Sequence, residues 1–298
     1  MKSKVLFLVF ILFGMTFQTL AEADSNVSLD RIKQLQQIVA NNPNDAVAHY
    51  NLGVAYSGRG RYGSAVRTFQ QAIKLNPDFA QAHNYLGMVY TNLNRFEDAV
   101  VHSKEALRLS PGLLEAHINL VHAYNNMGRY QNMIVHLHAV ISAKPEDPYF
   151  QFLLGKTLYR YGKYEAAVQP LQMAAKFSPQ DFAVHHMLGE ALGKLGRFLE
   201  AIEPLKKAAE LNPKVAEVYY NLGTAYAQAG RTEEAIAPLQ KTLEIKPDLV
   251  QARYNLGVVY QILGRRDEAI REYKKTLEMD PNMVEAKNNL DLIQNMER

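Results

Sequence analysis

The chain has 298 residues, 48% of them apolar, with 33 basic and 30 acidic side chains giving a net charge of +3. That apolar content excludes a disordered chain, and so balanced a charge excludes an electrostatic nucleic-acid binder. Cysteine is absent, which excludes disulfides, thiolate metal sites and a cysteine nucleophile.

Lys2 and Lys4 open the chain, an apolar run extends from Val5 to Met15, and Ala21 and Ala23 follow in a small-x-small arrangement. A basic start, a short apolar core and such a site describe a secretory signal peptide, residues 1–23, with cleavage expected after Ala23. The apolar run is shorter than the ~20 residues a spanning helix needs. The alternative is an uncleaved segment that anchors the protein in the inner membrane. No later segment reads as a membrane span. Exported proteins meet an oxidising compartment in which stray thiols are a liability, so a cysteine-free exported chain points to a bacterial periplasm.

Residues 24–45 read as an N-terminal capping segment. Within it, 28–41 place Leu29, Ile32, Leu35 and Val39 on one helical face. A periodic chain follows. YNLGVAYSGRGR at 50–61 returns as YNLGTAYAQAGR at 220–231 and YNLGVVYQILGR at 254–265, spacings of 170 and 34 residues. Pro43, Pro77, Pro111, Pro145, Pro179, Pro213, Pro247 and Pro281 are each 34 apart, and Pro170, Pro204 and Pro238 form a second lattice of that period. A fixed period of this size signals a stacked repeat array, in which each unit buries its apolar face on its neighbours.

One unit, residues 216–249, shows the physics. Leu222, Tyr226 and Ala229 recur at helical spacing, and Gly230 stands where a helix ends on a left-handed residue. A second helix carries Ala235, Ile236, Leu239 and Leu243 until Pro247 stops it. Gly223 on the first helix is expected to face Ala235 on the second, letting the axes approach closely. A mid-helix glycine costs about 0.8–1 kcal/mol relative to alanine, so the close approach must recover more.

These residues resemble the tetratricopeptide repeat (TPR) pattern of Leu at repeat position 7, a small residue at 8, Tyr at 11, Ala at 20 and Pro at 32. Taking Gly223 as position 8 gives seven units: 46–79, 80–113, 114–147, 148–181, 182–215, 216–249 and 250–283. Position 7 is Leu in each, from Leu52 to Leu256. Residues 284–298 read as a C-terminal capping helix. The resemblance implies an all-α, right-handed superhelical solenoid of helical hairpins. It also implies a concave groove lined by positions 2, 5, 6, 9, 12 and 13 of the first helices.

Three departures stand out. In the third unit Val121 replaces the position-8 glycine and Met133 the position-20 alanine. This either spreads that hairpin or is absorbed by repacking around a pliable methionine. His49, His83, His117 and His185 all occupy position 4. Equivalent positions of stacked repeats lie too far apart for two imidazoles to share one ion at ~2.0–2.1 Å, so half-buried structural rings are expected and no metal residue is assigned. Pro170, Pro204 and Pro238 fall inside second helices and should bend them slightly.

The groove that the resemblance implies carries Asn51, Asn119, Asn221 and Asn255 at position 6, amides able to bond an extended peptide backbone. The fourth unit adds Tyr149, Phe152, Lys156, Tyr159 and Arg160, and the fifth adds His186, Glu190 and Lys194. Aromatic anchors beside basic residues are the composition of a binding hot spot. No phosphate loop, nucleophile elbow, zinc-protease motif or paired-glycine turn is present, so no catalytic residue and no cofactor are expected. The expected protein is a non-catalytic scaffold that takes a protein or peptide partner, not a nucleic acid, in its groove. The alternative is an accessory subunit whose aromatic patch binds a glycan or cell-wall polymer.

Overall fold

The computed structural model describes residues 29–295. The signal-peptide expectation, residues 24–28 and the last three residues lie outside that range. Sixteen helices occupy it: α1 Leu29–Asn41, α2 Ala46–Gly58, α3 Tyr62–Leu75, α4 Ala80–Asn92, α5 Phe96–Leu109, α6 Leu114–Asn126, α7 Tyr130–Ala143, α8 Pro148–Arg160, α9 Tyr164–Phe177, α10 Phe182–Lys194, α11 Phe198–Leu211, α12 Ala216–Gln228, α13 Thr232–Ile245, α14 Val250–Ile262, α15 Arg266–Met279 and α16 Val284–Asn295. They form two compact units that divide between Ala143 and Lys144. The first holds α1 and three hairpins, α2–α3 to α6–α7. The second holds four hairpins, α8–α9 to α14–α15, and α16. Each unit is an all-α solenoid in which every helix packs on its chain neighbours. No helix among the described residues is long and apolar enough to cross a membrane.

One turn chemistry closes every hairpin. Gly60, Gly128, Gly162, Gly196, Gly230 and Gly264 all have φ between 68° and 77°, and Asn94 takes the same place at φ 57°. Only glycine, and asparagine less readily, enters this left-handed region cheaply. The next amide then reaches back to satisfy a helix-end carbonyl, as Arg231 N–H does to Tyr226 C=O at 2.9 Å. The arginine side chain folds over the same tyrosine: Arg231 lies 4.9 Å from the Tyr226 ring centroid, Arg95 4.4 Å from Tyr90 and Arg265 4.7 Å from Tyr260. A carboxylate three residues on holds it there, Asp98 for Arg95 and Glu268 for Arg265. At the other turn, Asp45, Asp147 and Asp181 cap α2, α8 and α10 by accepting backbone N–H bonds.

The hairpin contact adds a partner to the expected one. A side-chain carbon on Gly223 would lie 2.7 Å from Leu239 Cγ, and one on Gly189 2.5 Å from Leu205 Cγ. The glycine therefore receives the position-24 side chain, and the position-20 alanine backs it closely too, with the Ala99 carbonyl 3.2 Å from a side-chain carbon on Gly87 and the Ala167 carbonyl 3.3 Å from one on Gly155. Phe69 and Tyr273 fill the same place over Gly53 and Gly257. In the third hairpin Val121, Met133 and Leu137 are all fully buried. Its helices α6 and α7 approach each other less closely than those of any other hairpin, in line with the added bulk.

The end helices are held on one side. Ile32 and Leu35 of α1 are buried, but Leu29, expected on the same face, is 57% exposed because it begins the helix, a turn short of α2's cover. On α16, Ala286 and Ile293 are buried, and Arg266 of α15 donates to the Ile293 carbonyl.

Candidate functional site

The position-4 histidines are built into the turns. His49, His83 and His185 donate Nε2–H to the carbonyls of Pro43, Pro77 and Pro179 at 2.9, 3.2 and 3.1 Å. Gln151 and Arg253 serve Pro145 and Pro247 in the same way. The ring thus satisfies a carbonyl left over where the preceding helix stops at proline. With Nε2 protonated, neutral His83 presents Nδ1 as an acceptor, and His102 Nδ1–H donates to it across 3.1 Å. His117 and His136 repeat the Nδ1 pairing at 3.0 Å. Burial, with His117 and then Lys104 adding to it, holds His136 down to about 4. Burial alone holds His122 there.

The four asparagines divide. Asn119 is buried, and its amide nitrogen donates to Asn84 Oδ1 at 2.8 Å and to the Asn84 carbonyl at 3.1 Å. Its donors are committed to the preceding hairpin rather than to a ligand. Asn255 leans the same way, 3.4 Å from Tyr220 Oη. Asn289 of α16 does so too, 3.3 Å from Tyr254 Oη. The amide of one first helix thus links to position 5 of the helix before it, a packing role that position-6 spacing alone does not reveal. Asn51 is exposed and Asn221 half-buried.

The second unit gathers its charged and aromatic side chains on the first helices α8, α10 and α12, which are neighbours. On α8, Lys156 Nζ lies 5.8 Å from the Phe152 ring centroid. Burial, then the nearby Arg160, lowers its pKa below the ordinary lysine value. Tyr149 is half-buried against Phe150, 5.1 Å between centroids, and burial followed by Asp147 raises its hydroxyl pKa. Tyr159 packs on Tyr164 at 5.2 Å, and its hydroxyl is pushed up to about 12 by burial and then by Glu190, Tyr164 and Glu217. Arg160 and Lys194 are exposed at the ends of their helices. Tyr159 of α8 thus lies near Glu190 of α10 and Glu217 of α12, where the three first helices share a face.

That face is not purely basic. On α10, His186 stacks on Phe182 with centroids 5.5 Å apart, and its Nε2 is 3.9 Å from Glu190 Oε1. Glu217 enters from α12. One donor atom each from His186, Glu190 and Glu217 lie within 4.8 Å of one another. Burial, with Glu217 adding to it, raises the Glu190 carboxyl pKa while His186 and Lys194 oppose the shift. The sequence reading placed His186 and Glu190 beside the basic patch but missed Glu217 and the grouping. The signal was there: a His-x-x-x-Glu on one helix face, with Glu at position 2 of the next unit.

Two family models described as tetratricopeptide repeat match residues 50–113, 186–250 and 250–283, together more than half of the chain. A model described as anaphase-promoting complex, cyclosome, subunit 3 matches 126–208. No curated protein matches the chain. Among solved structures, a MamA protein is similar at 27% identity and TM-score 0.52, over 58% of this chain and 94% of that one. MamA of AMB-1 is similar at 28% identity and TM-score 0.51, over 56% and 92%. YrrB, described as a TPR protein with an unusual peptide-binding site, shares the fold at 24% identity and TM-score 0.55, over 62% and 95%. The repeated helical hairpin, its left-handed turn, the glycine under a large position-24 side chain and these matches agree: the chain belongs to the tetratricopeptide-repeat proteins, the helical-hairpin scaffolds of protein–protein interaction.

Proposed function

We propose that the protein is an exported, non-catalytic adaptor whose second unit binds an extended protein segment on the face formed by α8, α10 and α12. The observation that carries this reading is the Phe152–Lys156 contact at 5.8 Å, flanked by Tyr149, Tyr159 and Arg160 on the same helix. A partly desolvated ammonium held on an aromatic ring is poised to take a partner carboxylate, while the ring takes an apolar side chain. Half-buried Asn221, one repeat beyond Lys194, extends the face with an amide that can bond a peptide backbone. The acidic pair Glu190 and Glu217 beside the basic residues favours a segment carrying both signs of charge over an acidic polymer. Lys2, Lys4, the apolar run to Met15 and Ala21-x-Ala23, with no cysteine anywhere, support a periplasmic assembly.

The test is capture from cell-envelope extract by the full chain, with a Lys156→Glu/Arg160→Glu/Lys194→Glu variant as control and helicity checked for both. Loss of hot-spot charges costs about 2 kcal/mol or more, so a partner recovered with the wild type should vanish from the variant. Identical recovery with both baits moves the site elsewhere. Recovery of carbohydrate in place of protein favours the glycan reading.

A further inference from the structure

We propose that His186, Glu190 and Glu217 form a site for one divalent transition-metal ion of the Zn2+ class, with its remaining coordination positions open on the face of the second unit.

His186 and Glu190 are four residues apart on α10, so both side chains leave the same face of one helix. Glu217 comes from the first turn of α12, the first helix of the next hairpin. Two rigid, neighbouring helices thus supply three donors, as metal sites between packed helices are built. The donor atoms lie within 4.8 Å of one another, and His186 Nε2 and Glu190 Oε1 are 3.9 Å apart. Ligand bonds of about 2.0–2.2 Å place neighbouring donors about 3–3.5 Å apart on one ion. The gap closes by roughly an ångström of side-chain rotation, and Glu217, being exposed, has room to turn.

An independent observation concerns the imidazole. His186 Nε2 is shielded from solvent and makes no hydrogen bond among the described residues. The stack on Phe182 holds the ring in that orientation. A shielded nitrogen without a partner is costly, and a metal ion bound to its lone pair removes that cost. The carboxylates supply the rest: two negative charges meeting at one point repel, and a divalent cation between them reverses the sign of that interaction. Lys194, one turn beyond Glu190, is exposed, so its ammonium stays in solvent when an ion enters.

The donor set selects the ion. An imidazole with two carboxylates suits zinc and its first-row neighbours, whereas Mg2+ and Ca2+ prefer all-oxygen cages. The site is written once. At position 5 the other repeats carry Tyr50, Asn84, Ile118, Phe152, Tyr220 and Tyr254, and at position 9 they carry Val54, Met88, His122, Lys156, Thr224 and Val258. No other unit pairs a histidine with a carboxylate at these positions. The inference stands whether or not the face binds a peptide.

Isothermal titration of the tag-free full chain with ZnCl2 tests it. The expected result is saturable uptake in which His186→Ala and Glu190→Gln each weaken one ion per chain at least tenfold, with MgCl2 giving no comparable binding. Glu217→Gln alters an exposed side chain and keeps the test valid if the α10 variants lose helicity; it should weaken the same ion about fivefold or more. His185→Ala, which removes the neighbouring ring that bonds the Pro179 carbonyl, should leave that ion bound. Zn2+ uptake unaffected by Glu190→Gln and Glu217→Gln, or no uptake at all, overturns the proposal. Mg2+ bound as tightly as Zn2+ overturns the assignment of metal class.

Discussion

The two units use one hairpin for opposite ends. In the first, the variable ionisable side chains turn inward: positions 4 and 23 hold His83 against His102 and His117 against His136, at 3.1 and 3.0 Å. In the second, those slots hold Gln151 and Pro170, His185 and Pro204, Tyr219 and Pro238, and finally Arg253 and Glu272, ion-paired at 3.0 Å. Four other ionisable groups of this unit, Lys156, His186, Glu190 and Glu217, lie on its first helices. A repeat decides which slots face a neighbour and which face a ligand. What each slot contains is set copy by copy, so an identical scaffold pairs imidazoles within one unit and carries mixed charge on the first helices of the other.

The shared scaffold is the part whose loss should cost most. Phe69 in the first unit and Leu205 in the second are buried and fill the space over Gly53 and Gly189. Phe69→Ala should destabilise by about 3–5 kcal/mol and Leu205→Ala by about 2–5 kcal/mol, read from urea unfolding. Hydrogen exchange of peptides from 29–143 and 144–295 would show whether each loss stays within its own unit. Equal loss of protection in both units would make the comparison between them untenable.

Removing a position-6 amide should sharpen the comparison on a smaller scale. Asn119→Ala deletes the donor to Asn84 and leaves a buried acceptor unmet, a cost of about 1–3 kcal/mol. Asn51→Ala alters an exposed side chain and should stay within about 0.5 kcal/mol. Equal effects on the urea midpoint would refute the division of the asparagines into packing and surface residues.

Acidification should separate the units through a slope rather than a step. His102, His122 and His136 of the first unit have folded pKa values below the ordinary 6.5, with His136 and His122 near 4. The unfolded chain therefore takes up protons first as pH falls below 6.5. The part of the first unit's stability that these imidazoles govern should fall between about pH 6.5 and 4. In the second unit Glu190 is raised by burial and gains folded-state protons on acidification, while Glu200, Glu234 and Glu268, held low by their arginine partners, lose stabilisation. His136→Gln should flatten the pH dependence of exchange within 29–143 and leave 144–295 unchanged. An unaltered slope in the first unit would mean that the paired imidazoles do not control it.

Much of the helical pattern was legible because it rests on local rules repeated many times. A glycine entering the left-handed region, a proline stopping a helix and apolar residues three and four apart act over a few residues and need no knowledge of the rest of the chain. Contacts between turns of the chain were harder to read. Gly223 was expected to face Ala235, and spacing gave no sign that the Leu239 side chain comes nearest and fills the space. Leu29 matched the apolar stripe of its helix, yet it is 57% exposed among the described residues because it begins the helix. Asn119 read as a surface rung, whereas the 35-residue step to Asn84 turns it inward.

The sequence by itself determined the class of this protein: an all-α chain of hairpins on a 34-residue period, with its turns, its helix stops and the large residues that mark its cores. Those features follow from backbone sterics and helical periodicity, which each segment obeys alone. Only the tertiary structure decided which polar side chains are consumed by packing and which stay exposed. His83 and His102 stand 19 residues apart, and Glu190 and Glu217 27 apart. Nothing in a linear spacing says whether two such groups meet, since that depends on how one helix is set against the next. Stacking the helices turns one pair into a half-buried hydrogen bond and the other into a cluster of donors on a surface.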